Sequence, residues 1–188
     1  KAERLATLLA HEGKTPLEAD DWERVKAMRD SVYAHPWAAK LLSEGVSEQS
    51  IIFQDKESGL MCKARPDRLP PKDKNVLIDL KTTQDASKEG FTRSIIKYGY
   101  ARQAAFYMDG LNAISNLEGV YRYDTFIFIA VESSEPYRVS VNALDDEFVD
   151  WGRERYKDML ALEKKCRAEG YPAYTSTEIE TICKPAWL

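Results

Sequence analysis

The chain is short of several things that announce a function class. Only three of its 188 residues are cysteine (Cys62, Cys166 and Cys183), widely spaced and without a C-x-x-C pair. That argues against zinc ribbons and iron–sulfur clusters and suits free thiols in a reducing cytosol. Histidine is scarcer still: His11 and His35 stand outside any ligand spacing, and His35, followed by Pro36, reads as a helix-break residue. There is no excess of positive charge, with 27 Lys and Arg against 31 Asp and Glu, so the plainest signature of nucleic-acid binding is missing. Eight Pro and nine Gly are too few for a disordered or fibrous polymer. The longest apolar run, Phe126 to Val131, falls far short of the ~20 residues a membrane helix needs. No membrane contact and a cytoplasmic location are therefore expected.

Composition is that of one globular domain, 44% hydrophobic and 31% charged. The acid is concentrated: residues 144–163 hold seven acids and three bases. Conversely, Lys88, Arg93, Lys97 and Arg102 face only Glu89, a local basic stretch compatible with phosphate contact or with a solvated charged face. Position 1 is Lys, and the expectation is a chain that continues upstream.

Periodicity supplies the elements. Residues 3–11 read as the tail of a helix ended by Gly13. Thr15 to Glu18 reads as a capping box, followed by an apolar face of Trp22, Val25, Met28 and Val32. A short helix, Trp37 to Ser43, stops at Gly45. Glu48 to Phe53 and Leu60 to Arg65 then read as strands around a turn at Asp55 to Gly59. Val76 to Lys81 is apolar on both faces, as a central strand is. Ser87 caps a helix to Ile96, Gly99 interrupts, and a second helix runs from Tyr100 to Asn112. Strands Asp124 to Glu132 and Tyr137 to Val141 follow. A last helix from Asp145 to Glu169 turns Leu144, Phe148, Trp151, Tyr156, Met159 and Cys166 to the core. The order predicts a single α/β domain, a mixed central sheet flanked by helices. It divides into a helical part (1–46), a central part (47–141) and a C-terminal helix with its tail (142–188).

Chemistry concentrates in the middle. Arg65-Pro66-Asp67 ends one strand, and Asp79-Leu80-Lys81 lies on the next. Residues two apart on a strand share a face, so Asp79 and Lys81 point together and Leu80 points away. Charges in so apolar a strand need compensation, because an unpaired buried charge costs several kcal/mol, in order of magnitude. Either Lys81 pairs with Asp79 or Asp67, or the carboxylates hold a hard cation beside the lysine. Mg²⁺ suits the second arrangement, taking one or two carboxylates, keeping several waters and meeting phosphate oxygens; Mn²⁺ substitutes for it. Gln103 and Tyr107, four apart on the following helix, form a polar stripe able to reach the same place.

Together these residues resemble the PD-(D/E)XK nuclease superfamily, and within it the RecB-like branch that adds a Q-x-x-x-Y motif. The stretches 48–53, 59–67, 78–83 and 100–107 are most similar to the RecE-type (exonuclease VIII) nuclease domain. The resemblance covers roughly residues 17–188 and implies an αβββαβ restriction-endonuclease-like core. It implies Asp67, Asp79 and the Leu80 carbonyl as magnesium ligands and Lys81 as the catalytic lysine. Glu48 matches the acid of the first core strand, a further metal-site or water-positioning residue. Gln103 and Tyr107 support the lysine and the DNA backbone, and Arg65, Thr82 and Arg102 are candidates for DNA contact.

The activity implied is Mg²⁺-dependent hydrolysis of DNA phosphodiester bonds, by a 5′→3′ double-strand exonuclease of phage or prophage recombination. Its partners would be double-stranded DNA and a single-strand annealing protein, and its assembly a ring-shaped homo-oligomer. One family feature, a metal-ligating His in a G-x-x-x-H helix, has no match here and is expected upstream of residue 1. The alternatives are a catalytically inactive nuclease-fold module that binds DNA or a recombination partner, and an unrelated enzyme whose Asp–Lys pair is structural.

Overall fold

Among the described residues two helices come first. α1 (Ala19–Ala34) and α2 (Pro36–Leu42) are separated only by His35. The extended backbone of His35 closes the first helix, and its Nδ1 accepts a hydrogen bond from the Ala38 N–H at 3.3 Å to open the second. Pro36 fits the first turn, where no N–H is needed. The computed structural model describes residues 16–71, 74–115, 123–172, 179 and 181–185. The helix expected at 3–11 and the proposed cap Thr15 lie outside them. α1 itself begins at Ala19 with Glu18 at the N-cap and no side-chain cap, which corrects the capping-box reading: Glu18 sits one step before the helix, not in its first turn. The apolar face is also shorter than expected. Val32 is buried against the sheet, whereas Trp22 and Val25 are exposed, because only the C-terminal half of α1 packs on a partner surface.

The strands are β1 (Val46–Ser47), β2 (Ile51–Gln54), β3 (Met61–Ala64), β4 (Arg68–Leu69), β5 (Val76–Thr83), β6 (Thr125–Glu132) and β7 (Val139–Ala143). Five form a mixed sheet in the order β1-β4-β5-β6-β7, while β2 and β3 pair as a separate hairpin. The expected strand Glu48 to Phe53 is corrected: Glu48 has a left-handed backbone (φ 56), which breaks the ladder and leaves two short strands on either side. The hairpin turn is closed by Asp55, whose Oδ2 accepts from the Ser58 N–H at 2.7 Å and the Ser58 hydroxyl at 2.6 Å.

β5 and β6 run parallel over their whole length, from Val76↔Thr125 to Thr83↔Glu132. A parallel pair needs a long crossover, supplied by α3 (Lys88–Tyr98) and α4 (Tyr100–Ser115). Ser87 caps α3 by accepting from the Gly90 N–H at 3.1 Å. Gly99, at φ 70, ends it and re-aims the chain into α4. α5 (Asp146–Glu169) then packs along α4.

The sheet has a core on each face. Leu77, Phe126, Phe128 and Ala130 meet α3, α4 and α5; Ile78, Ile129 and Val131 meet α1 and α2. Each fully buried Phe or Leu contributes about 1.5–3 kcal/mol. Of the side chains expected on the inner face of α5, Met159 is corrected: it is exposed, because the core face of the helix runs through Val149, Tyr156 and Leu160, and Met159 stands about 100° from Leu160 around the axis.

α4 and α5 approach most closely at Gly152, where an added Cβ would collide with the Ala101 carbonyl. That obstacle is backbone and cannot turn aside. Gly152→Val is therefore expected to destabilise the fold by about 2–3 kcal/mol, read as a lower urea midpoint with unchanged slope.

Candidate functional site

The site forms where β5 outruns its short neighbour. β4 pairs with β5 at a single register position, Arg68↔Ile78. Beyond Ile78 that edge of β5 is open, and the Asp67 carboxylate takes the place of a strand. Its Oδ2 accepts from the Leu80 N–H at 2.9 Å. A residue's N–H and C=O leave a strand on the same edge, so the Leu80 carbonyl opens beside Asp67. Pro66, fully buried, and the hydrogen bond from the Glu48 N–H to the Asp67 carbonyl (3.2 Å) fix the segment that carries Asp67.

Asp79 comes from the face beneath, wholly buried under α4. Its Oδ1 accepts from Gln103 Nε2 at 2.7 Å. Its Oδ2 is in ion-pair contact with Lys81 Nζ. Burial pushes the Asp79 carboxyl up and the nearby Asp67 charge adds to this. Lys81 and Gln103 pull it back, leaving the pKa at about 6. Asp67 is thus close enough to Asp79 for the two charges to oppose each other.

Lys81 shares the face of Asp79, as strand spacing required, with its side chain 17% exposed. Its ammonium also lies 4.9 Å from the centre of the Tyr100 ring. Tyr100 is held in turn by Phe91 and Phe128, and burial raises its phenol pKa. The first turn of α4 therefore brings Gln103 to the carboxylate and Tyr100 to the ammonium. Tyr107, on the same helical face one turn past Gln103, packs in the core beside Phe106. Tyr100 was missed in the sequence. The available signal was its i, i+3 spacing to Gln103 directly after a glycine.

The remaining candidates spread around this centre. Glu48 stands at the rim beside Asp67, but its carboxylate pairs with Arg65 Nε at 2.8 Å. Thr82 and Leu80 line a groove of about 580 Å³ on the α1 face, together with Asp67, Glu48, Arg68 and Tyr33. Arg102 lies across Gly99 and reaches Met159 Sδ at 3.1 Å.

Among the described residues no three His, Cys, Asp or Glu side chains converge as a metal cluster. What the open edge offers is two carboxylates and a main-chain carbonyl, all hard oxygens. That donor set fits an ion that needs only one or two carboxylates and completes its shell with water. The buried Oδ2 of Asp79, whose partner is the Lys81 ammonium, keeps a lone pair that such an ion would take.

A sequence model for a family described as "PDDEXK-like domain of unknown function (DUF3799)" matches residues 2–185. No curated protein matches the sequence. Among solved structures, one described as a "Putative exonuclease" from Eubacterium rectale is similar, with 15% identity, a TM-score of 0.61, and coverage of 89% of this chain and 66% of that one. The chain therefore spans about two thirds of that protein, and the likeness is one of fold. A second structure, SSO0001, matches at 14% identity over 74% of this chain and 58% of that one, with a TM-score of only 0.38.

Proposed function

We propose, from the premise that this chain belongs to the PDDEXK-like domain family DUF3799, that it is a metal-dependent deoxyribonuclease. One observation carries the reading: a buried Asp79 whose oxygens are held by Lys81 and Gln103, where Asp67 and the Leu80 carbonyl flank an open strand edge. Asp67, Asp79 and the Leu80 carbonyl would hold Mg²⁺ or Mn²⁺. Such an ion supplies Lewis acidity toward a phosphoryl oxygen and toward water. Lys81 sets a positive charge beside the reacting phosphate and can orient the attacking water. Gln103 fixes the Asp79 carboxylate, and Tyr100 fixes the lysine. Recognition through phosphates makes base identity unimportant.

The finer reading is a 5′→3′ exonuclease on linear double-stranded DNA, working as a ring and delivering the exposed strand to an annealing protein in phage or prophage recombination. That the Eubacterium rectale protein of similar fold is described as a "Putative exonuclease" supports the exonuclease part of this reading. The test is degradation of linear duplex labelled at either end, in Mg²⁺, against a closed circle. Early loss of a 5′ label with the circle untouched is expected; cutting of the circle would make the enzyme an endonuclease, and no cutting at all would favour a binding module.

Gln103 offers a graded check. Gln103→Leu removes the hydrogen bond to Asp79 Oδ1 but no proposed ligand, and should lower the rate about 10–100-fold. Part of the loss should return at high Mg²⁺, read from rate against Mg²⁺ concentration.

A further inference from the structure

The aromatic contacts around Lys81 continue outward to solvent. Tyr98, the last residue of α3, lies against Tyr100 with ring centres 5.7 Å apart and planes inclined by only 30°, a stacked pair. Tyr98 is 56% exposed. Lys97 Nζ lies over its ring, 5.1 Å from the centre. The left-handed Gly99 turn makes this arrangement possible, since it sets two tyrosines side by side at the junction of α3 and α4.

A solvated tyrosine needs no partner, but here three features coincide. The ring belongs to the stack that positions the catalytic lysine. It carries a cation over its ring. It lies within the basic stretch that runs from Lys88 to Arg102 in a chain of net charge −4. A π-face flanked by cations is what single-stranded nucleic acid takes, with bases stacking on rings and phosphates meeting ammonium groups.

We propose that Tyr98 is the stacking platform for a nucleobase of single-stranded DNA, the base taking the place of the Lys97 ammonium over the ring while that ammonium turns to a phosphate of the backbone, which runs on to Lys81. The inference rests on the nuclease reading and adds to it the form of the substrate at the site: the nucleotide next to the reacting phosphate is unstacked from its duplex. Tyr98 touches no reacting atom; it places the strand.

The test is anisotropy of a short fluorescein-labelled oligothymidylate, and of an abasic strand of equal length, in EDTA so that nothing is cut. Tyr98→Ala should weaken binding of oligothymidylate about 5-fold to 100-fold, while Tyr98→Phe stays within about twofold of the parent. Neither change should affect the abasic strand, which has no base to stack. Lys97→Ala should lower the salt dependence by about one phosphate contact. Unchanged oligothymidylate binding by Tyr98→Ala, or an equal loss on the abasic strand, overturns the proposal while leaving the nuclease reading intact. Failure of the parent protein to bind either strand or to cut DNA overturns both.

Discussion

Asp79→Asn is expected to lower DNA cleavage by about a thousandfold or more, and at pH 8 without metal the variant should melt no lower than its parent. The two halves together separate a catalytic carboxylate from a structural ion pair. Asparagine keeps the shape and the oxygen that accepts from Gln103 Nε2. It removes the charge a divalent ion requires. The stability half follows from linkage. The Asp79 pKa is raised from 3.8 to about 6, with the attraction of Lys81 already included, so burial outweighs the ion pair. For a carboxyl raised in the folded state, the associated stability is complete below pH 3.8 and is lost as pH climbs through about 6. Above that window the ionised side chain opposes folding by on the order of 3 kcal/mol, taking 1.36 kcal/mol for each pKa unit. Asparagine stands in for the protonated form and escapes this. The amide Nδ2 then faces the Lys81 ammonium donor to donor, and that ammonium, part-exposed, turns toward solvent beside the Tyr100 ring. If Asp79 serves only to pair with Lys81, the order reverses: Asp79→Asn melts well below the parent and activity falls no further than folding does. Thermal melts at pH 8 in EDTA, beside cleavage of end-labelled duplex in Mg²⁺, read both halves.

What the sequence disclosed of this site is what local geometry controls. A strand repeats every two residues, so Asp79 and Lys81 on one face were legible from spacing alone, and the structure puts their charged ends together. A helix repeats every 3.6, so the stripe through Gln103 was legible too. The Gly99 break and the Ser87 cap rest on single residues with strong conformational preferences and were found where expected. The features that escaped depend on distant pieces of chain. Glu48 looks like a strand residue in an alternating stretch; its left-handed backbone is imposed by the bond between its N–H and the Asp67 carbonyl, 19 residues on in the sequence. The hairpin β2–β3 leaves the main sheet because β4, only two residues long, takes the edge of β5 instead. Trp22 and Val25 have helical spacing yet no surface to cover them, since periodicity says which residues share a face and not how far that face is met. Tyr100 drew no notice because the ammonium it faces belongs to a strand nearly twenty residues earlier in the chain.

The other large effect is thermodynamic and needs no DNA. Near-saturating Mg²⁺, at about a hundred times its dissociation constant, should stabilise the protein by about 2.7 kcal/mol at pH 8. For a chain of this size that is a rise in melting temperature of roughly 5–10 °C. The rise should shrink as pH falls, to about half at pH 5, because the ion must displace the proton from an Asp79 whose pKa is about 6. This slope is opposite to that of the metal-free protein, which loses stability over the same interval as the carboxyl ionises. The two melting curves should therefore diverge as pH rises through about 6. Asp67→Ala tests whether the ion sits where the strand edge opens. It removes one carboxylate and frees the Leu80 N–H, a group already near solvent, so folding should survive while the Mg²⁺-dependent rise disappears. An ion bound elsewhere on this acidic chain, for instance along α5 with its excess of carboxylates, gives a rise that neither follows the titration of Asp79 nor responds to Asp67. A Mg²⁺ effect of equal size at pH 5 and pH 8, or one intact in Asp67→Ala, removes the metal from the β5 edge and with it the role proposed for the two aspartates.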